Sequence, residues 1–261
     1  MTNYYKSFCF ISINYGTSSL IANWVNHIRD KIPNAYIIIV DNYFSNNERS
    51  KIEAIAKKLN FKLIKSANEG YGSAINKGVK HLRRTINNYQ DFIFFMGNAD
   101  LTIKSLSQIK KNDIPMAYIP KLYEKSLINK NPYINIIQSR TKIFYLLAAF
   151  FKSSLFYNLA IVVNKFLGLI PSKPFSVHGS VFCINGYALK CDDIFNEKSF
   201  LYCEEFEFGS YLKAHQIELK KIPVSFIHTS HATTSNIVKD RQKYINIWSN
   251  SFMNWIHRWK S

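Results

Sequence analysis

Asp91-Phe92-Ile93-Phe94-Phe95-Met96-Gly97-Asn98-Ala99-Asp100-Leu101 is the stretch on which the fold turns. From Ile93 to Gly97 it carries no polar side chain, and the run stops at Asn98 and Asp100. Phe and Ile favour strands, and an apolar run without polar alternation suits a strand covered on both faces. A short buried helix would show the same pattern. Read as a strand, the run delivers Asn98 and Asp100 just past its carboxyl end, where open α/β sheets bind their ligands. Two oxygen-bearing side chains at i and i+2 suit a divalent cation, and they also suit a plain turn.

Working outward, residues 8–13 form an apolar strand candidate that ends in Asn14-Tyr15-Gly16, a turn signal. Ser18 or Ser19 then caps a helix with Leu20, Trp24, Val25 and Ile28 at helical spacing, which Pro33-Asn34 breaks. Residues 36–40 read as a strand followed at once by Asp41-Asn42, residues 48–59 as a helix, and residues 61–64 as a short strand. Asn68-Glu69-Gly70-Tyr71-Gly72 is a glycine-bearing entry to a helix carrying Ile75, Val79 and Leu82. Its glycines permit positive φ or close backbone approach, and the helix start offers free N–H groups; an ordinary helix entry looks the same. The first hundred residues therefore alternate strand and helix, which predicts a largely parallel, doubly wound α/β sheet with its polar strand ends on one rim. Asp41 after the second strand suits either a ribose or base contact or the capping of the next helix.

Beyond residue 101 the pattern changes. Residues 116–120 are a further strand candidate. Residues 140–170 mix aliphatic and aromatic residues with Lys142, Lys152 and Lys165, in runs shorter than the ~20 residues of a membrane span. They read as amphipathic helices that lie on acidic lipid, or that pack on the sheet or on a second subunit. Pro171 and Pro174 close this segment, and residues 175–184 read as a strand entered through a polar turn, with His178 and Gly179 before the strand. Glu204, Glu205 and Glu207 crowd a helix start, where they suit the helix dipole or supply a general base. A last strand region over residues 219–227 leads to His228 and His231, and from Lys239 a terminal helix carries Ile245, Trp248, Phe252 and Trp259. The expected organisation is one domain in four segments: 1–101, an insertion over 102–174, 175–235 and the terminal helix over 236–261.

The whole chain has 261 residues, a 47% hydrophobic fraction and a formal charge of +17, which argue for a folded core and anionic partners. Residues 102–173 hold eleven Lys or Arg but only Asp113 and Glu124 as acids. Four scattered cysteines without a CxxC pair, and no secretory signal, read as free thiols in a reducing cytosol and give no zinc site. No zinc-finger spacing or RNA-binding motif supports a nucleic-acid partner.

Taken in order, these motifs resemble glycosyltransferase family 2, inverting nucleotide-sugar enzymes of the GT-A fold, and within it the rhamnosyltransferase-like enzymes of bacterial surface polysaccharide (O-antigen or capsule). Ile13-Asn14-Tyr15 is similar to the family's Val-Asn-Tyr. Val40-Asp41-Asn42 with Ser45 is similar to Val-Asp-Asn-x-Ser, Ser45 standing one position late. Asn68 to Gly72, with Asn76 and Gly78, resembles Asn-x-Gly-Phe-Gly…Asn-x-Gly. Asn98-Ala99-Asp100 resembles the Asn-Pro-Asp form of the metal motif. Phe200-Leu201-Tyr202-Cys203-Glu204-Glu205 resembles Phe-Met-Tyr-x-Glu-Asp, and His228 the late histidine. The resemblance implies nucleotide contacts from Asn14, Tyr15, Asp41, Asn42, Asn68, Gly70, Tyr71, Gly72 and Asn98, and Mg²⁺ or Mn²⁺ held by Asp100 and His228. His178 and Gly179 would border the sugar or acceptor. Glu205, or its neighbour Glu204, would be the base for inversion. It further implies a UDP-, dTDP- or GDP-linked sugar donor, a lipid-linked glycan acceptor, and a cytoplasmic protein peripheral on the inner face of an anionic plasma membrane. Ala99, Glu205 in place of Asp, and the displaced Ser45 also fit a non-catalytic relative acting as a binding or scaffold subunit.

Overall fold

A computed structural model of the chain describes residues 4–124, 128–132, 139–167, 174–229 and 240–259. Its centre is an eight-stranded sheet in the order β3-β2-β1-β4-β7-β6-β8-β5. The strands are β1 (Ser7–Asn14), β2 (Tyr36–Asn42), β3 (Lys62–Ser66), β4 (Phe92–Gly97), β5 (Leu101–Leu106), β6 (Met116–Tyr123), β7 (Val181–Asn185) and β8 (Glu218–His228). The helices are α1 (Ser18–Lys31), α2 (Asn46–Leu59), α3 (Tyr71–Thr85), α4 (Ser139–Phe150), α5 (Ser154–Leu167), α6 (Glu204–Ala214) and α7 (Arg241–Arg258).

The expected alternation through β4 is present, and β1 to β4 pair in parallel. Because side chains alternate across a strand, each of these strands feeds two cores. Phe10, Ile37, Ile39, Ile93 and Phe95 pack under α1 and α2 with Ile21, Trp24, Val25, Ile28 and Ile52. Cys9, Ile11, Ile38, Val40, Phe94 and Met96 face the other way, onto α3 and α6. This two-sided burial is why the Ile93–Gly97 run reads as continuous apolar sequence. A third, aromatic cluster joins α4, α5, α6 and α7 around Tyr145, Phe206, Trp248, Phe252 and Trp255.

The structure departs from the sequence reading after β4 and at the cap of α1. Leu101–Leu106 is a strand that apolar pattern alone passes over, because only one of its faces is buried. With β6 it places part of the expected 102–174 insertion inside the sheet, so that only α4 and α5 stand off it. The strand expected within 175–184 begins at Val181, with His178 and Gly179 in the polar turn before it. Before it, the backbone N–H of His178 donates to Asn131 Oδ1, that of Gly179 to Glu205 Oε1 and that of Ser180 to His178 Nδ1. With those donors taken by side chains, no ladder forms there. At α1, Thr17 rather than a serine holds the N-cap position, with Asn14 Oδ1 accepting from its N–H. Pro171 and His231 lie outside the described residues. Among the described residues no helix is long and apolar enough to cross a membrane.

β7 runs antiparallel to β4, with Gly97 opposite Val181. A Cβ at Gly97 would collide with the Ser180 carbonyl. Gly97→Ala is expected to cost roughly 1–3 kcal/mol of stability through strand displacement, read as a lower urea midpoint with an unchanged slope.

Candidate active site

A cleft opens where the carboxyl ends of β1, β2 and β4 meet. The switch point lies here, since β2 and β4 lie on opposite sides of β1. Its walls are Ile13 of β1 with Tyr15, Thr17 and Leu20 after it, Asn42 at the end of β2, Asn68, Gly70 and Tyr71 at the start of α3, Asn98 to Asp100 after β4, and Phe200 and Leu201. Of the residues expected around a nucleotide, Tyr15, Asn42, Asn68, Gly70, Tyr71 and Asn98 line this cleft.

Asn14, Asp41 and Gly72 stand behind the wall instead. Asn14 Nδ2 donates to Asp41 Oδ1 at 2.8 Å, and Arg49 Nε to Asp41 Oδ2 at 2.7 Å. Both carboxylate oxygens of Asp41 are thus engaged inside the protein, and the residue is 1% exposed. Gly72 is buried in α3 with the Phe195 side chain 2.7 Å from where a Cβ would lie. Ser45 caps α2, its side chain accepting from the Glu48 N–H. Gly70 has φ 104 and sits against the Phe200 backbone, whose carbonyl accepts from the Tyr71 N–H at 2.9 Å. Only glycine meets both demands.

The sheet brings His228 to Asp100. β8 runs antiparallel to β5 with His228 opposite Leu101, and Thr229 donates through N–H and hydroxyl to the Asp100 carbonyl. His228 Nε2 lies 3.1 Å from Asp100 Oδ1, and Asn98 Nδ2 3.4 Å from the same nitrogen. Burial alone would lower the His228 pKa, but the hydrogen bond and charge of Asp100, with Glu124 beyond, outweigh it and raise the pKa. Glu124 Oε1 is 3.7 Å from His228 Nδ1. Sequence reading missed Glu124 as a site residue, although an acid just past a strand end in a basic stretch is a signal. Thr17, Leu20 and Asn131 carry no such mark.

Among the described residues the buried Asp100 Oδ1 has no hydrogen-bond partner, and the His228 ring is the group that approaches it, at 3.1 Å. That donor set suits a divalent cation which takes its other ligands from phosphate oxygens. Among the described residues no group of three or more His, Cys, Asp or Glu could enclose a metal without such help.

Glu204 and Glu205 open α6, one turn from the cleft wall. Glu205 Oε1 accepts from the Gly179 N–H at 3.0 Å, and Tyr71 Oη donates to the Gly179 carbonyl at 3.1 Å. A Cβ at Gly179 would lie 2.6 Å from Glu205 Oε1, so the lack of a side chain makes room for the carboxylate. Burial raises both glutamate pKa values; the Glu205 charge adds to the rise at Glu204, while backbone N–H groups, that of Gly179 among them, temper it at Glu205. Burial also raises the Tyr71 phenol, and the charges of Glu204, Glu205 and Asp100 raise it further. His178 lies beside them, its ring 6.0 Å from that of His228.

The backbone before Glu204 is unusual. Tyr202 and Cys203 have φ of 72° and 68°, a left-handed conformation costing a non-glycine residue roughly 1–2 kcal/mol.

No protein-family model matches the sequence, and no curated protein matches it. Solved structures do. A mannosyltransferase from Pyrobaculum calidifontis, in complex with GDP-Man and Mn²⁺, aligns over 90% of this chain and 60% of its own with a TM-score of 0.52 at 11% identity. TarS from S. aureus aligns over 86% of this chain and 37% of its own, with a TM-score of 0.50 at 14% identity. A second TarS structure, in complex with UDP-GlcNAc, aligns over 87% and 59% with the same score and identity. The chain thus spans between 37% and 60% of the length of these proteins. At such identities the likeness establishes the architecture, and the architecture is the GT-A fold of nucleotide-sugar glycosyltransferases.

Proposed function

We propose that the protein is an inverting, metal-dependent glycosyltransferase of the family 2, rhamnosyltransferase-like type. In this reading it moves a sugar from a nucleotide donor to a hydroxyl of a lipid-linked glycan during bacterial surface polysaccharide synthesis. The observation that carries this reading is the cleft on the switch point, where Asp100 and His228 lie 3.1 Å apart and the wall residue Tyr71 donates to the carbonyl of Gly179, whose N–H holds Glu205. The donor diphosphate lies towards Asp100 and His228, the base and ribose between Tyr15, Asn42 and Asn68. Asp100 and His228 would hold Mg²⁺ or Mn²⁺, which would offset the charge that builds on the departing diphosphate.

Glu205, anchored on the Gly179 N–H, removes the proton from the acceptor hydroxyl as its oxygen attacks the anomeric carbon. Of the two glutamates we assign this role to Glu205, because the Gly179 hydrogen bond holds its carboxylate in place and leaves Oε2 as the basic atom. Burial disfavours the charged form of that carboxylate and so increases its appetite for a proton. The likeness of the fold to a GDP-Man-bound mannosyltransferase supports a nucleotide-sugar donor. Thermal-shift titration with UDP, dTDP and GDP, each with and without Mn²⁺, tests the reading. A metal-dependent rise in melting temperature with one of them is expected. The absence of any shift would move the assignment to the binding or scaffold subunit.

The acceptor's lipid fits the α4–α5 hairpin. Phe150, Phe151 and Leu155 at its tip are 75%, 59% and 72% exposed, and Ile143, Leu159 and Val162 continue the apolar face along both helices. Residues 139–167 include Arg140, Lys142, Lys152 and Lys165 and no acid. An exposed apolar face within a cationic, acid-free segment suits the interface of an anionic bilayer. The Phe150→Ser, Phe151→Ser, Leu155→Ser triple variant is expected to bind phosphatidylglycerol-containing vesicles at least about tenfold more weakly than the unaltered protein. Equal co-sedimentation of the two would sink the membrane assignment.

A further inference from the structure

We propose that α7 is a positioning element of the active site, and that Ser251 is the residue through which it holds the catalytic carboxylate. This rests on the reading of Glu205 as the base.

One stripe of α7 meets the left-handed elbow residue by residue. The Tyr244 ring packs on the Tyr202 ring at 4.6 Å, Cys203 Sγ lies 3.9 Å from the Trp248 carbonyl, and Ser251 Oγ donates to the Leu201 carbonyl at 2.8 Å. Tyr244, Trp248 and Ser251 stand at i, i+4 and i+7, one face of a helix. One turn further, Trp255 Nε1 donates to Ser210 Oγ at 2.8 Å and its ring packs on Phe206 at 5.2 Å, so the same face also grips α6.

Two successive non-glycine residues at positive φ persist only where their surroundings hold them. Leu201 and Phe200 form part of the cleft wall, and Glu204 and Glu205 follow the elbow directly. The elbow therefore sets both the wall and the direction in which α6 presents its first-turn carboxylates. On one side Gly179 holds the Glu205 side chain; on the other, α7 holds the backbone that carries it. Ser251 is 1% exposed, so its hydroxyl has no competition from solvent for the Leu201 carbonyl. If the elbow relaxes towards ordinary φ, the first turn of α6 rotates and the carboxylate leaves its place by an ångström or more.

Steady-state release of nucleoside diphosphate from UDP-glucose, dTDP-rhamnose and GDP-mannose is the test, with nucleotide affinity measured separately by calorimetry. With the donor that the unaltered protein cleaves, Ser251→Ala is expected to lower kcat about tenfold to a hundredfold at unchanged nucleotide affinity. Cys203→Gly added to Ser251→Ala should recover most of the loss, because glycine holds the left-handed conformation unaided. A purely structural role for α7 would not be rescued in this way. The proposal is overturned if Ser251→Ala keeps wild-type kcat. It is equally overturned if kcat and nucleotide affinity fall together and Cys203→Gly restores neither. If the unaltered protein cleaves none of the three donors, the assignment of Glu205 falls first and this proposal falls with it; an active parent with an unaffected Ser251→Ala removes this proposal alone.

Discussion

Glu205→Gln is expected to lower turnover about 10²–10⁴-fold while nucleoside diphosphate affinity stays at the wild-type level. The amide keeps the size of the side chain and an oxygen able to accept from the Gly179 N–H, so the geometry around Gly179 and Tyr71 survives. What disappears is the atom that takes the proton. Glu204→Gln provides the comparison: a much smaller loss is expected, since no hydrogen bond fixes that carboxylate against Gly179. A larger loss in Glu204→Gln than in Glu205→Gln would exchange the roles. The pH profile of the unaltered protein should show its acid limb above the ordinary glutamate value of 4.5, because burial raises the pKa. The sign for stability is opposite to that of a salt-bridged carboxylate. Between the ordinary and the raised pKa the folded state keeps protons that the unfolded chain releases, so stability falls as pH rises through that window. Glu205→Gln removes this contribution and should be relatively more stable than wild type at neutral pH than at pH 4.

Asp100→Ala is expected to abolish the metal-dependent part of nucleotide binding. At a ligand concentration a hundredfold above Kd, binding adds about 2.7 kcal/mol to the folded state, and in a chain of this size that raises the melting temperature by roughly 5–10 °C. In Asp100→Ala the rise with Mn²⁺ should shrink to that seen without the ion. The fold should survive, since Thr229 bonds the Asp100 main-chain carbonyl rather than its carboxylate. A full Mn²⁺-dependent shift in this variant would remove Asp100 and His228 from the metal-binding role.

The strand–helix alternation of the first hundred residues was legible in the sequence because it rests on short-range periodicity. Ile37 and Ile39 face α1 and α2 while Ile38 and Val40 face α3 and α6, and nothing beyond neighbouring residues is needed to see a strand there. Asn42, Asn98 and Asp100 were readable as rim residues for the same reason: each lies within three residues of the end of an apolar run, and parallel strands place such ends together. Where the side chains go was not readable. Asp41 closes β2 together with Asn42, yet Arg49 and Asn14 draw it inward. Local sequence does not reveal which of two adjacent polar residues will find a buried partner.

Sequence alone determined the parallel half of the sheet, the rim on which the cleft opens, and the residue types gathered there. Only the tertiary structure decided that β8 pairs with β5 and so sets His228 against Asp100, that Gly179 gives up its ladder N–H to Glu205, and that α7 fastens onto the elbow before α6. Each of these joins residues distant in the chain. Such pairings are settled by backbone hydrogen bonds and by the competition of distant apolar surfaces for burial, to which the spacing of neighbouring residues gives no access.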